Sequence, residues 1–490
     1  MAKKLHWRIW LSGVVGFFIL QLAFLKADPS LDISTSRGPF TDEGLNTIQA
    51  RNYVNQGKWG LDDCDNLAKS PAYNAYLLVV FQTFGTSRTV ARMSVLVASL
   101  LFFMLFTLLI KKPSIGLLWL LLGGLQYHLF QFFHFSMVEA LAIQVIMVSL
   151  AFAYRFIQSK SQHVWWLILH FSGLFLALCL KVQFAYVLVL PLCTLLIWKR
   201  ERLPGRLRFF RAIGLTSFLY GIAGLAYWLL WYQRVKPVFD KVVQQQLVER
   251  YHGDGNLLKA LWGNLETFWL QPENLFIQLI FWLSLVWLTF KRKQLHQNHR
   301  LLFFLSAAWA LLEHHKLFIQ WLPSRYALSL IAAQALVIAL FLKEALRHSN
   351  PFNKYLGVTA LVIVLSFPQG NVRQLITLFR ERTYQSQRVI DHFESYDFKG
   401  RKIAGTWATA IVWNQSAYVF PVWKDFTPMA SFLEKHRPLM VVTEKDQEDS
   451  NRAFTDSGIV LEEYFGPARP ENYGPYSLFI YALEEFQNEP

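Results

Sequence analysis

Long apolar segments alternate with short polar or basic stretches over most of the chain. Eleven such segments lie near positions 8–25, 89–110, 114–133, 136–154, 164–180, 182–198, 212–232, 275–290, 301–315, 323–342 and 355–367. About 20 helical residues cross the hydrocarbon core of a bilayer, and in lipid the backbone polar groups must pair within the helix. The pattern therefore predicts an α-helical polytopic membrane protein with about eleven transmembrane helices.

Basic residues cluster in alternate gaps between these segments. Loops that keep an excess of Lys and Arg stay in the cytoplasm, so this alternation sets the orientation of the whole chain. With the basic clusters in the cytoplasm, the loops 26–88 and 233–274 and the C-terminal tail are predicted to face outward. The clusters are Lys3, Lys4 and Arg8, then Lys111 and Lys112, Arg155 and Lys160, six residues between Lys199 and Arg211, four between Lys291 and Arg300, and finally Lys343, Arg347 and Lys354.

The tail has a different pattern, which divides the chain into a transmembrane domain, 1–367, and a small extracytoplasmic α/β domain, 368–490. Short apolar runs typical of strands alternate there with helical patterns and with Gly-Pro turns. The tail holds no Gly-rich phosphate loop and no nucleophile motif. The predicted strands are Arg401–Gly405, Leu439–Thr443, Ile459–Phe465 and Leu478–Leu483, and the predicted helices lie near 383–396 and 428–436.

Composition agrees with a membrane protein and argues against a nucleic-acid partner. Of the 490 residues, 54% are hydrophobic, and the net charge is +15. The basic residues lie between apolar segments rather than along one face, which is how a membrane protein fixes its orientation. The three cysteines show no spacing typical of a metal site.

An acidic pair, Asp42 and Glu43, stands in the first outer loop. A carboxylate at the membrane surface can act as a general base if a bound hydroxyl comes within hydrogen-bond reach. The same pair could instead cap a helix over Leu45–Val54, because acidic residues favour helix N-termini. Both interpretations stay open at this point, and one residue could serve both.

Two lysines and a glutamate near the outer ends of apolar segments are further candidates. Lys69 could hold a lipid phosphate as a point charge, or could snorkel from a helix end. Lys181 lies between two apolar segments with no basic neighbours. Ionisable residues at such places usually face a cavity or a partner. Glu139 could pair with a cation, ligate a metal or contact an acceptor.

Arg325 and Tyr326 begin the tenth segment on the outer side. The guanidinium could bind a phosphate with two parallel hydrogen bonds. Alternatively, Arg325 and Tyr326 could form part of an interfacial aromatic belt with Trp321. The adjacent His314 and His315 do not share a helix face, which disfavours a metal site built from both.

The order of these motifs resembles the GT-C integral-membrane glycosyltransferases, in the branch of the protein O-mannosyltransferases and the lipid A aminoarabinose transferase. Asp42-Glu43 is similar to the acidic signature of that family. Lys69-Ser70-Pro71-Ala72-Tyr73, Gly173-Leu174 followed by Lys181, and Arg325-Tyr326 are similar to its later motifs, and the likeness covers about residues 8–345. Three features depart from the family pattern: Ala72 replaces a proline, Ala68 replaces an acid, and the basic residue after the acidic pair is displaced to Arg51.

The resemblance implies a glycosyltransferase that uses a polyprenyl-phosphate sugar donor and an inverting single displacement. It implies that Asp42 and Glu43 are catalytic and that Lys69, Lys181 and Arg325 bind the donor phosphate, with Glu139, Arg51 and Tyr326 as further candidates. The acceptor would be a lipid, a glycan or a protein. The expected location is the bacterial inner (cytoplasmic) membrane, in contact with membrane lipids, with the active site facing the periplasm or exterior.

Cofactor use and function class each leave alternatives. No cofactor is required by the motifs, although Asp42, Glu43 and Glu139 could supply oxygen ligands to a divalent cation. A transporter or flippase of a lipid-linked glycan is the main alternative function. It predicts charged or broken helices at the bilayer midplane, often within inverted repeats. A third alternative function is a membrane scaffold that presents the outer domain to a partner.

Overall fold

The structure of the protein is a computed structural model. It describes residues 2–33, 37–57, 59, 66–159, 164–247, 256–320, 322–347, 351–366, 371–398, 400–413, 417–422, 427, 432–444 and 448–483. Trp321 and the predicted domain boundary between 367 and 368 lie outside these ranges.

Helices account for most of the described chain, as the apolar segments predict. The helices are α1 (Ala2–Leu22), α2 (Gly38–Gln56), α3 (Asn66–Lys69), α4 (Pro71–Phe84), α5 (Arg88–Ile110), α6 (Pro113–Trp119), α7 (Tyr127–His134), α8 (Val138–Gln158), α9 (Val164–Leu180), α10 (Leu190–Arg202), α11 (Arg206–Tyr227), α12 (Gln233–Leu247), α13 (Leu257–Asn264), α14 (Pro272–Phe290), α15 (Gln297–Glu313), α16 (Ser324–Arg347), α17 (Pro351–Ser366), α18 (Asn371–Arg380), α19 (Gln385–Glu394), α20 (Ala408–Ile411), α21 (Phe432–His436), α22 (Glu448–Thr455) and α23 (Leu461–Phe465).

Tighter or wider helical turns join several of these helices. Turns of 3₁₀ helix cover Leu31–Ile33, Val182–Val189 and His314–Phe318, and π-helical turns cover Leu120–Gly124, Trp228–Tyr232 and Leu265–Trp269. Two of the 3₁₀ segments directly follow Lys181 and Glu313. The chain therefore leaves regular helical geometry next to ionisable residues, which is common at functional sites.

Seven helices in the described ranges are long and apolar enough to cross a membrane, or eight if one bent pair counts as a single span. The fold is therefore that of a polytopic membrane protein, while the count of eleven spans stays a prediction. Helix α8 and helix α16 lie at the centre, since 89% of each apolar window is buried inside the protein. The window in 206–240 is 6% buried, which leaves its apolar side chains to face lipid.

The bent pair is α6 with its π turn and α7, which meet at 94°. A bend at this depth frees backbone groups that must find other partners. The Asn371 side chain supplies them, because its amide donates to the Leu125 carbonyl at 2.7 Å and its carbonyl oxygen accepts from the Tyr127 N–H. The Gln126 side chain caps α7 by accepting from the Leu129 N–H at 3.0 Å.

The C-terminal part is a small α/β domain, as predicted. Its strands are β1 (Lys402–Ala404), β2 (Tyr418–Phe420), β3 (Met440–Glu444), β4 (Arg469–Tyr473) and β5 (Tyr476–Ala482). They form one sheet in the order β2-β1-β3-β5-β4, in which β1 pairs in parallel with β2 and β3, and β5 pairs antiparallel with β3 and β4. Apolar clusters cover both faces of the sheet.

One predicted strand of this domain is wrong. Ile459–Phe465 contains the helix α23, in which Leu461 and Phe465 are buried and the glutamates between them are exposed. A short apolar run cannot be assigned to helix or strand by periodicity alone, and burial of positions i and i+4 settles this one as a helix. The sequence patterns also missed the short strands β2 and β4.

The capping interpretation of the acidic pair is wrong as well. Helix α2 begins at Gly38 with Pro39 in its first turn, so Asp42 and Glu43 lie within the helix rather than at its N-terminus. Proline at the first helical positions has a favourable fixed φ and no N–H to satisfy. The side chains of Asp42 and Glu43 therefore project from the body of a regular helix.

Helix α2 packs tightly against the C-terminal domain. Arg51 is 1% exposed, lies 4.2 Å above the Trp413 ring, and donates hydrogen bonds to the carbonyls of Val412 and Thr409, each at 2.6 Å. A Cβ on Gly44 would come within 2.4 Å of the Thr409 oxygen, so only glycine permits this approach. The domain interface thereby fixes the helix that carries Asp42.

The edge of the sheet is tied to the same helix. The Asn52 amide donates to the Val419 carbonyl at 2.9 Å, and its side-chain oxygen accepts from the Val419 N–H at 3.2 Å. These bonds satisfy backbone groups of the edge strand β2 that no further strand pairs. Ahead of the helix, Arg37 forms an ion pair with Glu444 at 2.9 Å.

Arg51→Met is expected to destabilise the protein by about 3 kcal/mol, because the buried Val412 and Thr409 carbonyls lose their charged donor. Thermal denaturation of the purified protein would measure the loss. Arg388→Met, at an exposed position of α19, is the matched control. Equal denaturation midpoints for the two variants would contradict this role of Arg51.

Candidate functional site

The centre of the candidate site is an ion pair between Asp42 of α2 and Arg325 of α16. The Asp42 Oδ2 and Arg325 Nη1 atoms are 2.8 Å apart, and the two side chains are 16% and 11% exposed, respectively. A Cβ on Gly38 would lie 2.0 Å from Arg325 Nη1. The glycine one turn before Asp42 therefore leaves the space that the guanidinium fills.

A second ion pair lies beside the first and joins two further elements. Lys181, in the extended residue between α9 and its 3₁₀ turn, places Nζ 2.5 Å from Oε1 of Glu139 in the first turn of α8. The other oxygen of Glu139 has no hydrogen-bond partner among the described residues although it is buried. This free acceptor is available to a ligand.

The Tyr326 ring connects the two pairs. Lys181 Nζ lies 5.3 Å from the ring centroid, and Arg325 Cζ lies 5.2 Å from it. A cation over an aromatic face is attracted by the ring quadrupole, so one ring holds both cations near each other. The structure thus brings together Asp42, Glu139, Lys181, Arg325 and Tyr326, which are far apart in sequence.

Burial makes Asp42 a stronger base than an ordinary aspartate. Loss of solvent is the largest influence and raises its pKa, and the negative charge of Glu139 raises it further. The positive charges of Arg325, Lys181 and Lys69 lower the pKa but do not cancel the effect of burial. A carboxylate whose pKa approaches the working pH is better suited to take up a proton.

Lys69 belongs to the same electrostatic neighbourhood. It ends the short helix α3, and its charge acts on Asp42. The Trp231 indole donates a hydrogen bond to the Ala68 carbonyl at 3.1 Å, which ties the lysine segment to the lipid-facing helix. Lys69 is therefore anchored through its backbone, and its half-buried side chain lies near the two ion pairs.

Glu43 occupies a different environment from its neighbour Asp42, because adjacent residues project about 100° apart around a helix. The Arg92 guanidinium donates to both of its carboxylate oxygens, and the Ser136 N–H donates to Oε1 at 2.7 Å. Burial opposes ionisation of Glu43, but the charge and hydrogen bonds of Arg92 outweigh it and lower its pKa. Both oxygens are thus engaged in anchoring α2 to α5.

Arg51 lies apart from this cluster. It contacts the carbonyls of Gly44, Thr409 and Val412 and the Trp413 ring. Burial lowers the pKa of Arg51 to about 9. These contacts place it at the domain interface rather than beside Asp42.

A further buried pair beneath Tyr326 was missed by the sequence reasoning. Lys316 Nζ lies 2.7 Å from Oε2 of Glu313, and it donates to the Tyr326 carbonyl at 2.9 Å and to the Ser329 hydroxyl at 2.6 Å. Glu313 also accepts from Trp309 and from the Tyr186 hydroxyl. The sequence signal for this pair is a glutamate at the end of an apolar segment with a lysine three residues later, a spacing that places both side chains on one face of a helix.

Metal-ligating groups do not converge in the described ranges. No set of three or more His, Cys, Asp or Glu side chains there could hold a metal ion. His314 and His315 instead face the backbone carbonyls of Ala310 and Leu312, respectively, each at 2.6 Å. Asp42 and Glu139 are engaged by Arg325 and Lys181.

Comparison with known proteins identifies the fold. No protein-family model matches the sequence, and no curated protein sequence matches it. The crystal structure of ArnT from Cupriavidus metallidurans bound to undecaprenyl phosphate is similar, with a TM-score of 0.56 and 14% identity over 96% of this chain and 98% of that chain. The apo state of the same protein gives a TM-score of 0.53 and 13% identity over the same shares of the two chains.

A more distant likeness is to the archaeal oligosaccharyltransferase AglB from Archaeoglobus fulgidus in complex with an inhibitory peptide and a dolichol-phosphate. It has a TM-score of 0.44 and 10% identity over 89% of this chain and 69% of that chain. The ArnT structures show that this chain has the same fold as ArnT, as the resemblance to the GT-C glycosyltransferases predicts. It is a multi-pass integral membrane protein with a small C-terminal sheet.

Glu43→Gln is expected to destabilise the protein by about 3–5 kcal/mol, because it leaves the Arg92 guanidinium buried without a counter-charge. Asp42→Asn is expected to cost less, because burial already opposes the charge of that carboxylate. Thermal denaturation of both variants and of the exposed Glu434→Gln control would measure the difference.

The pH dependence of the Glu43 effect has a definite sign. A carboxylate whose folded pKa is lowered adds stability that is fully present above its unfolded pKa and is lost as pH falls through the folded value. The gap in denaturation midpoint between the wild type and Glu43→Gln should therefore narrow below the ordinary value of 4.5. A gap that widened in acid would contradict the assigned pair.

Proposed function

We propose that this protein is a glycosyltransferase that moves a sugar from a polyprenyl-phosphate donor to an acceptor hydroxyl on the outer face of the membrane. The observation that carries the proposal is the placement of a partly exposed carboxylate with a raised pKa, Asp42, among the cations Arg325, Lys181 and Lys69. General-base chemistry and phosphate neutralisation then share one site. The fold likeness to a protein crystallised with undecaprenyl phosphate supports the donor class.

The reaction is an inverting single displacement. Asp42 takes the proton of the acceptor hydroxyl while the oxygen attacks the anomeric carbon on the face opposite the phosphate. The bond between that carbon and the phosphate oxygen breaks, and its electron pair remains on the phosphate. The products are the glycosylated acceptor, the polyprenyl phosphate and a protonated Asp42, so each atom and electron pair is accounted for.

The cations stabilise the charge that develops on the leaving phosphate. Arg325 and Lys181 are paired with carboxylates in this structure, so a donor phosphate would compete with Asp42 and Glu139 for them. Withdrawing Arg325 from Asp42 removes the strongest influence that lowers the Asp42 pKa. Donor binding would thereby increase the basicity of the carboxylate at the moment it is needed.

The remaining candidates act around this centre. Tyr326 orients the two cations, and the free oxygen of Glu139 contacts the acceptor or the transferred sugar. Glu43, predicted from sequence as a second catalytic carboxylate, is proposed to hold α2 in place through Arg92. Arg51 positions the same helix against the C-terminal domain.

The proposed surroundings follow from the orientation of the basic clusters. The site would face the periplasm or exterior from a bacterial inner membrane, and the acceptor would be a lipid, a glycan or a protein. The side chains of Lys69, Lys181 and Arg325, rather than a divalent cation, are proposed to neutralise the phosphate. A flippase would move the lipid-linked sugar without breaking the glycosyl bond, so product analysis separates the two functions.

Asp42→Asn is expected to lower sugar transfer from a labelled polyprenyl-phosphate donor by about 10²–10⁴-fold, because the proton acceptor is lost. Wild-type activity should fall as pH drops through the raised pKa of Asp42, since only the ionised form is a base. Asp32→Asn, at an exposed position in the same loop, is the matched control. Near wild-type transfer by a folded Asp42→Asn protein would refute the base assignment.

Lys69→Ala is expected to weaken donor binding by about tenfold or more, because a charge-assisted contact to phosphate is lost. Titration with a labelled polyprenyl-phosphate sugar donor would measure the affinity directly. The exposed Lys26→Ala variant from the same outer loop is the control. Unchanged affinity in Lys69→Ala would remove this lysine from the phosphate site.

A further inference from the structure

An open cleft lies in the C-terminal domain between α19 and the β4 edge of the sheet. Its cavity volume is about 190 Å³. One wall carries His392, Phe393 and Tyr396, and the other carries Arg469 and Glu471. A floor of apolar side chains, including Met440, Ile480 and Ala482, closes it toward the sheet.

The aromatic wall is built and held in place. The Tyr396 ring centroid lies 5.3 Å from that of His392 and 5.8 Å from that of Phe393, and the Tyr396 hydroxyl lies 3.3 Å from His392 Nε2. Phe393 and Tyr396 are buried in the apolar cluster of the domain. The half-buried His392 ring is the least buried of the three, and its aromatic face with polar ring nitrogens suits a ligand that has both C–H faces and hydroxyl groups.

The opposite wall presents two charges of opposite sign. Arg469 and Glu471 are two positions apart on β4, so their side chains share one face of the sheet and lie about 7 Å apart along the strand. Among the described residues, neither side chain makes an ion pair with the other or with a third group. A guanidinium fork and a carboxylate together can donate to and accept from neighbouring hydroxyl groups.

This combination selects a class of ligand. A neutral polyhydroxyl compound can use both charged groups and stack on the His392 ring, whereas a simple anion would approach Glu471 and a simple cation would approach Arg469 at an electrostatic cost. We infer that the cleft is a saccharide-binding subsite. It would hold a part of the acceptor glycan distant from the reacting hydroxyl, and this assignment of the occupant rests on the proposed function.

The strand that carries the two charges leads back to the helix of Asp42. Tyr473 ends β4 two positions after Glu471, and its ring lies 6.5 Å from the ring of Phe40 in α2. Phe40 also contacts Tyr476, with ring centroids 5.2 Å apart. These buried ring contacts of Phe40 tie the end of the β4 strand to the helix that carries Asp42.

Direct binding tests the cleft without any transfer reaction. The full chain in lipid nanodiscs would be mixed with soluble chitobiose or mannobiose, and saturation-transfer NMR would detect contact with the sugar. Arg469→Ala and Glu471→Gln should each reduce the signal at least fivefold. Lys435→Ala and Glu463→Gln, at exposed positions of the same domain outside the cleft, should leave it unchanged.

The outcomes separate this inference from the proposed function. Absence of binding by either disaccharide, survival of binding in both cleft variants, or displacement of the sugar by inorganic phosphate would each overturn the saccharide subsite. In a transfer assay the cleft variants should raise the acceptor KM about tenfold and leave kcat and the donor KM unchanged. If the wild type binds saccharide but transfers no sugar, the subsite stands and the proposed glycosyl transfer fails.

Discussion

The need to compensate buried charge organises this molecule more than any other constraint. A carboxylate removed from water loses several kcal/mol of hydration, which only a close cation and well-placed hydrogen bonds can offset. Glu43 receives full compensation from Arg92 and Ser136. Asp42 receives less, and burial keeps its pKa raised beside Arg325. The pKa of Asp42 is therefore raised and that of the neighbouring Glu43 is lowered, because their surroundings differ.

The same constraint links elements that are distant along the chain. Arg92 reaches Glu43 and also donates to backbone carbonyls after α1, including that of Ala27 at 2.8 Å. Lys181 reaches Glu139, and Lys316 ties Glu313 to the Tyr326 carbonyl. Each ion pair attracts its two partners. Removal of one partner would also destabilise the protein, because it leaves the other partner buried and charged. The cluster therefore holds α2, α5, α8, α9 and α16 in register at one end of the transmembrane domain.

The C-terminal domain contributes to the candidate site through α2. Arg51 and Asn52 bond to its backbone, while Phe40 packs into its core. Asp42 lies on the same helix, so its position depends on both domains. This arrangement makes the position of Asp42 depend on the C-terminal domain, and it explains why a helix with so little apolar character is buried along most of its length.

Local chemistry was sufficient to predict a polytopic helical membrane protein with a small C-terminal α/β domain, and to single out Asp42, Lys181 and Arg325 as candidates, because hydrophobic length, periodicity and isolated ionisable residues are properties of short segments. It failed for Ile459–Phe465, where a short run suits helix and strand equally, and for the start of α2. It also could not separate Asp42 from Glu43, or recognise Glu313 with Lys316. Those assignments depend on contacts between buried side chains that are distant in sequence. Such contacts are determined only when the helices pack together.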